Sequence, residues 1–181
     1  MLEERVQTPI KAFRESRTRE NGEDVDSKYI TIYVIAKIHG GGLVMAGIAD
    51  LIAKGKDGSL CFGNYELDSK QKRSDFEYEG DLYKVKTFKE ITKLEKNGLF
   101  VYESVPGTVV TDMKCTDQQV TFQVEGWEDS SITLELEPET EYDVTIADTN
   151  IGKMKTNLGG KLVLSVEMDP GCVYEIKVVK S

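Results

Sequence analysis

The side chains best placed for chemistry in this 181-residue sequence gather around its one histidine. His39 opens His39-Gly40-Gly41-Gly42, directly after the apolar run YITIYVI at 29–35. Glycines that follow a strand can offer backbone N–H groups to an oxyanion, and His-Gly-Gly-Gly does so in esterases. Such chemistry also needs a nucleophile and a base. The histidine of that motif is not the base, the sequence has no second histidine, and no G-x-S-x-G elbow occurs. The esterase reading fails. A phosphate cradle fails as well, because GGGLVMAG (40–47) has neither the lysine and hydroxyl of G-x-x-x-x-G-K-[ST] nor a dinucleotide G-x-G-x-x-G. His39 to Gly42 are therefore expected to form no ligand pocket.

The same stretch reads differently as message. Consecutive glycine codons can spell a purine tract that pairs with bacterial ribosomes, and Leu43-Val44 then gives a two-codon spacer before the ATG of Met45. The composition changes at the same place. Residues 1–44 hold seven Lys/Arg and seven Asp/Glu, so all of the net charge of −9 belongs to 45–181, while four of the five arginines lie upstream. The expectation is a poorly structured leader at 1–44, with the natural start at Met45. The alternative is a genuine flexible leader with a short strand at 29–38. Residues 1–28 are polar without a consistent apolar period, and they are expected to be disordered or loosely helical and to make few contacts with the β domain.

Carboxylates are the commonest reactive groups, with 25 Asp/Glu in residues 45–181. Glycoside hydrolysis needs two of them facing each other across a cleft. Most fall in turns or at alternating strand positions, as Glu135, Glu137 and Glu139 do, which reads as a solvated face. Cys61, Cys115 and Cys172 are odd in number, far apart and free of any C-x-x-C pair, so neither a disulfide framework nor a zinc site is indicated. No cofactor is indicated either. The cysteine usage points to a reducing cytoplasm, and the apolar run from Tyr29 to Ile38 is too short and too β-branched to span a membrane.

Two surfaces remain. YKVKTFKEITKLEK (83–96) sets Lys84, Lys86, Lys89, Lys93 and Lys96 among Tyr83 and Phe88, a pattern of either a basic patch with aromatic platforms or an exposed face over core aromatics. Trp127, in VEGWEDS, sits at an expected hairpin turn, where an indole stacks on a sugar, docks a partner, or folds inward as a lid. The candidate ligand or partner surface is thus Trp127, Tyr83, Phe88, Lys84 and Lys86, and no residue is assigned a catalytic role.

The elements that must position these groups are strands. Beyond Asp57-Gly58 short strand signals recur between turn residues every eight to twelve positions, as in a sandwich or barrel. Strands are expected at 59–66, 81–87, 99–104, 108–115, 119–125, 131–137, 142–147, 151–156, 161–168 and 173–179. TFKEITKLEKNG (87–98) is ambiguous: a Thr87/Glu90 capping box with Phe88, Ile91 and Leu94 at helical spacing favours a short helix, while Asn97-Gly98 would equally turn a hairpin. The helix is the expectation. The whole is mainly antiparallel β, with a small β-rich unit at 45–104 and an immunoglobulin-like sandwich at 105–181.

The second unit contains an internal echo. LELEPETEYDVTI (134–146) matches VEMDPGCVYEIKV (166–178) position for position at an offset of 32, with acid-Pro and Tyr in register. Each copy reads as a strand, a proline corner, and a second strand opened by a Tyr whose ring packs and whose hydroxyl seeks a backbone partner. LEPETEY resembles the L-x-P-x-T-x-Y corner of fibronectin type III and related immunoglobulin-like sandwiches, which implies a two-sheet fold that hosts many functions.

A broader resemblance covers residues from about 57 to the end. GDLYKVKTFKEITKLEKNG (80–98), LFVYESVPGT (99–108) and KTNLGGKL (155–162) are similar to a group of small bacterial proteins carrying the name endosialidase. The name implies recognition of a sugar carboxylate by clustered arginines and a tyrosine nucleophile with its base. Arg73 is the only arginine after residue 44, and no S-x-D-x-G-x-T-W box occurs. The residues therefore favour a small non-catalytic interaction or structural protein, with a carbohydrate-binding module or glycosidase as the alternative. Its partner would be a protein or a glycan. The acidic balance disfavours nucleic acid, and no membrane association is expected.

Overall fold

The computed structural model describes residues 34–39 and 42–181, with side chains from residue 47 onward. Expectations for residues 1–28, and for a pocket at His39–Gly42, lie outside the described side chains. Fourteen strands and no helix make up the described residues. They are β1 (Val34–His39), β2 (Gly42–Lys54), β3 (Leu60–Asn64), β4 (Gln71–Tyr78), β5 (Asp81–Phe88), β6 (Ile91–Lys96) and β7 (Leu99–Val105). Next come β8 (Val109–Cys115), β9 (Gln119–Glu125), β10 (Ser130–Glu135), β11 (Glu141–Ile146), β12 (Thr149–Lys155), β13 (Lys161–Val166) and β14 (Tyr174–Lys180). Among the described residues no helix is long and apolar enough to cross a membrane.

The mainly antiparallel β architecture read from the turn spacing is what forms. Eight strands make one sheet in the order β1-β2-β3-β8-β9-β14-β11-β12, and six make the other in the order β13-β10-β7-β6-β5-β4. Both sheets run through residue 105: β3 pairs with β8 in the first, and β7 with β10 in the second. The sheets face each other, with β2 and β3 lying across β4, β5 and β6.

Alternation builds the core. Val85 on β5, Leu94 on β6, Tyr102 on β7, Ile132 and Leu134 on β10 and Leu162 and Leu164 on β13 meet Ile52, Phe62, Val110, Phe122, Val144 and Ile176 from the other sheet. Each such aliphatic or aromatic side chain contributes about 1.5–3 kcal/mol on full burial. A smaller cluster of Ile48, Ala53, Cys61, Tyr65 and Val109 lies apart from it, and β3 is consequently buried on both faces.

The helix expected at 87–98 is replaced by a hairpin. Phe88 pairs with Ile91 across a turn at Lys89-Glu90, and Thr87 pairs with Thr92. Thr87, Thr92 and Leu94 point inward with period two, whereas the helical spacing would have scattered them. Asn97 and Gly98, both with positive φ (51° and 81°), turn β6 into β7, as an Asn-Gly pair favours in a tight hairpin. The Asn97 side chain ties this turn to the start of β5, accepting from the Leu82 N–H at 2.9 Å and donating to Asp81 at 2.6 Å.

The internal echo is geometric as well as textual. The Tyr142 hydroxyl accepts from the Glu137 N–H at 3.2 Å, and the Tyr174 hydroxyl accepts from the Asp169 N–H at 3.0 Å. Each bond spans the same five residues across its proline corner, so each corner satisfies a backbone donor that the turn would otherwise strand.

Candidate functional site

The five residues singled out in the sequence occupy three places. Lys84, Lys86 and Phe88 lie on β5 at the alternate positions facing away from the core, whereas Tyr83 points inward and is buried. The Tyr83 ring meets Tyr78 edge-on at 5.7 Å and lines a cavity of about 70 Å3 between the sheets with Tyr78, Met113 and Cys115. Burial there pushes the Tyr78 hydroxyl up to about 12, so it stays protonated near neutrality. Trp127 lies between β9 and β10, apart from all of these.

The outer face of the six-stranded sheet concentrates positive charge. Lys72 on β4, Lys86 on β5 and Lys93 on β6 stand directly opposite one another across adjacent strands. The row continues through Glu103 on β7, Thr133 on β10 and Val163 on β13. Directly opposed like charges destabilise a sheet, so the protein supplies a counter-charge. Glu95, with its side chain 14% exposed, lies 3.0 Å from Lys84, 3.6 Å from Lys93 and 3.7 Å from Lys86. The hydrogen bond from Lys84 is the main reason its carboxyl is held below the usual carboxylate range; burial opposes the shift and the surrounding lysine charges reinforce it. With Glu103 directly opposite Lys93, two carboxylates stand among Lys72, Lys84, Lys86 and Lys93, which leaves the cluster positive. Beside it, the Nζ atoms of Lys93 and Lys161 stand 5.5 and 5.0 Å from the centre of the Phe100 ring, each within cation–π range.

The second candidate is a cleft of about 290 Å3 lined by Tyr65, Glu66, Asp68, Lys89 and Trp127. Three connections build it: β3 to β4, β5 to β6, and β9 to β10. A backbone bond from Lys89 N–H to Leu67 O at 3.0 Å ties the first two, and one from Gly107 N–H to Lys89 O at 2.9 Å ties the second to the β7–β8 connection. A buried hydroxyl network anchors the strand ends behind them. Thr87 Oγ1 accepts from the Asn64 N–H (2.9 Å) and meets Thr92 Oγ1 (2.8 Å), while Thr92 Oγ1 donates to Thr108 O (2.7 Å). Tyr102 and Ser104 both reach Thr108 Oγ1 at 2.8 Å. Gly63, at φ +99°, and the Thr108 carbonyl approach so closely that a Cβ at residue 63 would collide with it.

Trp127 is 40% exposed and meets Tyr65 edge-on, ring centres 5.7 Å apart and planes at 78°. The two rings thus form no flat platform. The Tyr65 hydroxyl donates to Glu125 Oε1 at 2.7 Å, and both residues are buried. A tyrosine beside a carboxylate is the pairing a tyrosine nucleophile requires, but burial, and then the Glu125 carboxylate, push the Tyr65 hydroxyl well above its ordinary value. Its proton therefore stays on the hydroxyl at neutral pH. Asp68, with its side chain 95% exposed, pairs with Lys89 at 3.3 Å in solvent. Arg73 is not part of the cleft: it bonds Asp50 and stacks over Phe76.

Lys93 was legible in the sequence as part of the basic run, whereas Glu95, Phe100 and Lys161 gain meaning only from strand register. Tyr65, Glu66 and Asp68 carry no sequence signal that would have joined them to Trp127. No family model, curated protein or solved structure matches the chain.

Proposed function

We propose that the protein is a non-catalytic interaction module of the cytoplasm that docks an acidic protein partner on the outer face of its six-stranded sheet. The observation that carries this reading is the row Lys72, Lys86 and Lys93, three lysines opposed across adjacent strands in a chain whose net charge is −9. Such a row costs stability in the free protein and is relieved when an acidic surface covers it. The three free, widely separated thiols support a reducing compartment. The hydrogen bond within the Tyr142 corner supports the likeness to immunoglobulin-like sandwiches, a scaffold that commonly presents sheet faces and loop ends to partners.

The test is titration of an oligoglutamate peptide into the full chain at two salt concentrations. Binding should weaken with salt, and the double variant Lys86→Glu, Lys93→Glu should bind about tenfold less tightly, since each reversal exchanges an attraction for a repulsion. Equal affinity of wild type and double variant would remove the lysine face as the docking surface. A second reading, glycan binding, is favoured by the half-exposed indole of Trp127 beside Glu66, Asp68 and Lys89. Glycan-array binding lost on Trp127→Ala would support it.

A further inference from the structure

Three strands with described side chains lie at sheet edges, and they are protected unequally. β4 breaks its pairing between Arg73 and Phe76, with Asp75 at φ +58°, and carries Lys72 and Arg73. β12 shifts register opposite Val144 and Thr145 and carries Gly152, Lys153 and Lys155. Bulges and charges of this kind stop an edge from accepting another strand. β13 has neither beyond its first residue. It pairs with β10 without a register shift from Ser130 to Glu135, and Val163 at its centre is 51% exposed.

The hydrogen bonds fix which backbone groups β13 leaves open. Lys161 uses both its N–H and its C=O on Asn157, away from β10, at 2.9 and 3.1 Å. The Gly160 carbonyl, one position earlier, accepts from the Leu136 N–H on the β10 side at 2.8 Å. Because successive residues of a strand point to opposite edges, Leu162, Leu164 and Val166 bond β10, while Val163 and Ser165 present N–H and C=O to the free edge. The opposing sheet has two more strands, and its β2 and β3 already lie across β4 to β6. Counted strand by strand, it therefore runs on beyond β13, and β12 roofs the position where a seventh strand of the smaller sheet would lie. Under that roof Met154 is only partly buried, and no described atom lies within 4 Å of where a Cβ on Gly152 would be.

We infer that β13 accepts one added strand from an extended segment of a partner protein, seated between the free edge of β13 and the underside of β12. The added strand bonds Val163 and Ser165 in antiparallel register. It turns apolar side chains at alternate positions toward Met154. A second whole copy fits less well, because its own overhanging β12 would meet that of the first. This inference rests on the backbone of β13 and is independent of the lysine row.

The probe is the labelled synthetic peptide KLVLSVE, the sequence of residues 161–167. Laid antiparallel about its central Leu, it puts its first Val and its Ser opposite Ser165 and Val163. Fluorescence anisotropy with the full chain should show saturable binding. Methylating the peptide N atoms of its Val and Ser should weaken it by about tenfold, and methylating those of its two Leu should not. Val163→Pro removes one edge donor where a proline is tolerated and should weaken binding similarly, with Ser165→Pro as the second variant and unchanged circular dichroism as the folding control. Failure of the wild type to bind, or indifference to N-methylation and to both prolines, would overturn the inference. A concentration-dependent dimer of the chain broken by Val163→Pro would assign the edge to a second copy and overturn it too. Neither proline touches Lys72, Lys86 or Lys93, so the two proposals fail separately.

Discussion

The lysine face and the Trp127 cleft place polar side chains in opposite ways. On the face, adjacent strands in register put Lys72, Lys86 and Lys93 opposite one another, and strand alternation alone decides that they point outward. In the cleft, Tyr65, Glu66, Asp68, Lys89 and Trp127 come from three connections, the first two backed by buried hydroxyls. The face is therefore insensitive to the loops and sensitive to charge; the cleft is insensitive to the surface charge of β5 and β6 and sensitive to the backbone that ties its loops. Substitutions can separate the two.

The largest effect is expected at Gly63→Ala. A Cβ there meets the Thr108 carbonyl, and φ of +99° is strained for any other residue, so the cost should be about 3 kcal/mol, read from urea unfolding. Thr108→Val, which strands Tyr102 and Ser104, should cost about 2 kcal/mol. Both should shift the Trp127 fluorescence, and the folded fraction should retain its oligoglutamate affinity. Loss of that affinity would mean that face and cleft are one site. Next in size is the charge-reversed pair Lys86→Glu, Lys93→Glu, with its loss of about tenfold in affinity and no change in Trp127 fluorescence.

Glu95→Gln sharpens the comparison from the other side. It removes the counter-charge shared by Lys84, Lys86 and Lys93, so oligoglutamate binding should tighten by about threefold while stability falls by less than about 1 kcal/mol. Its folded carboxyl titrates below the unfolded value, so the stability it contributes is present above about pH 4.3 and is lost as pH falls through the folded value. The stability difference between wild type and Glu95→Gln should accordingly vanish in acid. Smallest of all, Trp127→Ala should leave oligoglutamate affinity unchanged, because no lysine of the row depends on it. A drop in that affinity would link the cleft to the face.

The same contrast explains what the sequence disclosed. Period-two patterning and turn residues located most strands from β3 to β14, and the matching acid-Pro and Tyr positions anticipated both tyrosine hydroxyl bonds. β4 was missed because QKRSDFEY is a polar edge strand that buries only Phe76 and Tyr78, leaving little apolar alternation to read. The hairpin at 87–98 was misread because a two-residue turn at Lys89-Glu90 puts Phe88, Ile91 and Leu94 at spacings that a helix shares, and only the partner strands decide between them. Lys84 and Lys86 were found because they alternate along one strand. Glu95 could not be recognised as their partner, since register across a hairpin joins residues that a helix would have separated. The cleft was the least legible of all: Trp127 stood out by its residue type, but nothing local links position 127 to positions 65–68 and 89.

The most direct test of the central claim is amide and side-chain chemical-shift mapping of the full chain titrated with oligoglutamate at low salt. The proposed docking surface predicts progressive shifts centred on Lys72, Lys84, Lys86, Lys93 and Phe100, with the Trp127 indole unmoved. Shifts centred on Trp127 and Lys89, or no shifts at saturating peptide, would contradict it.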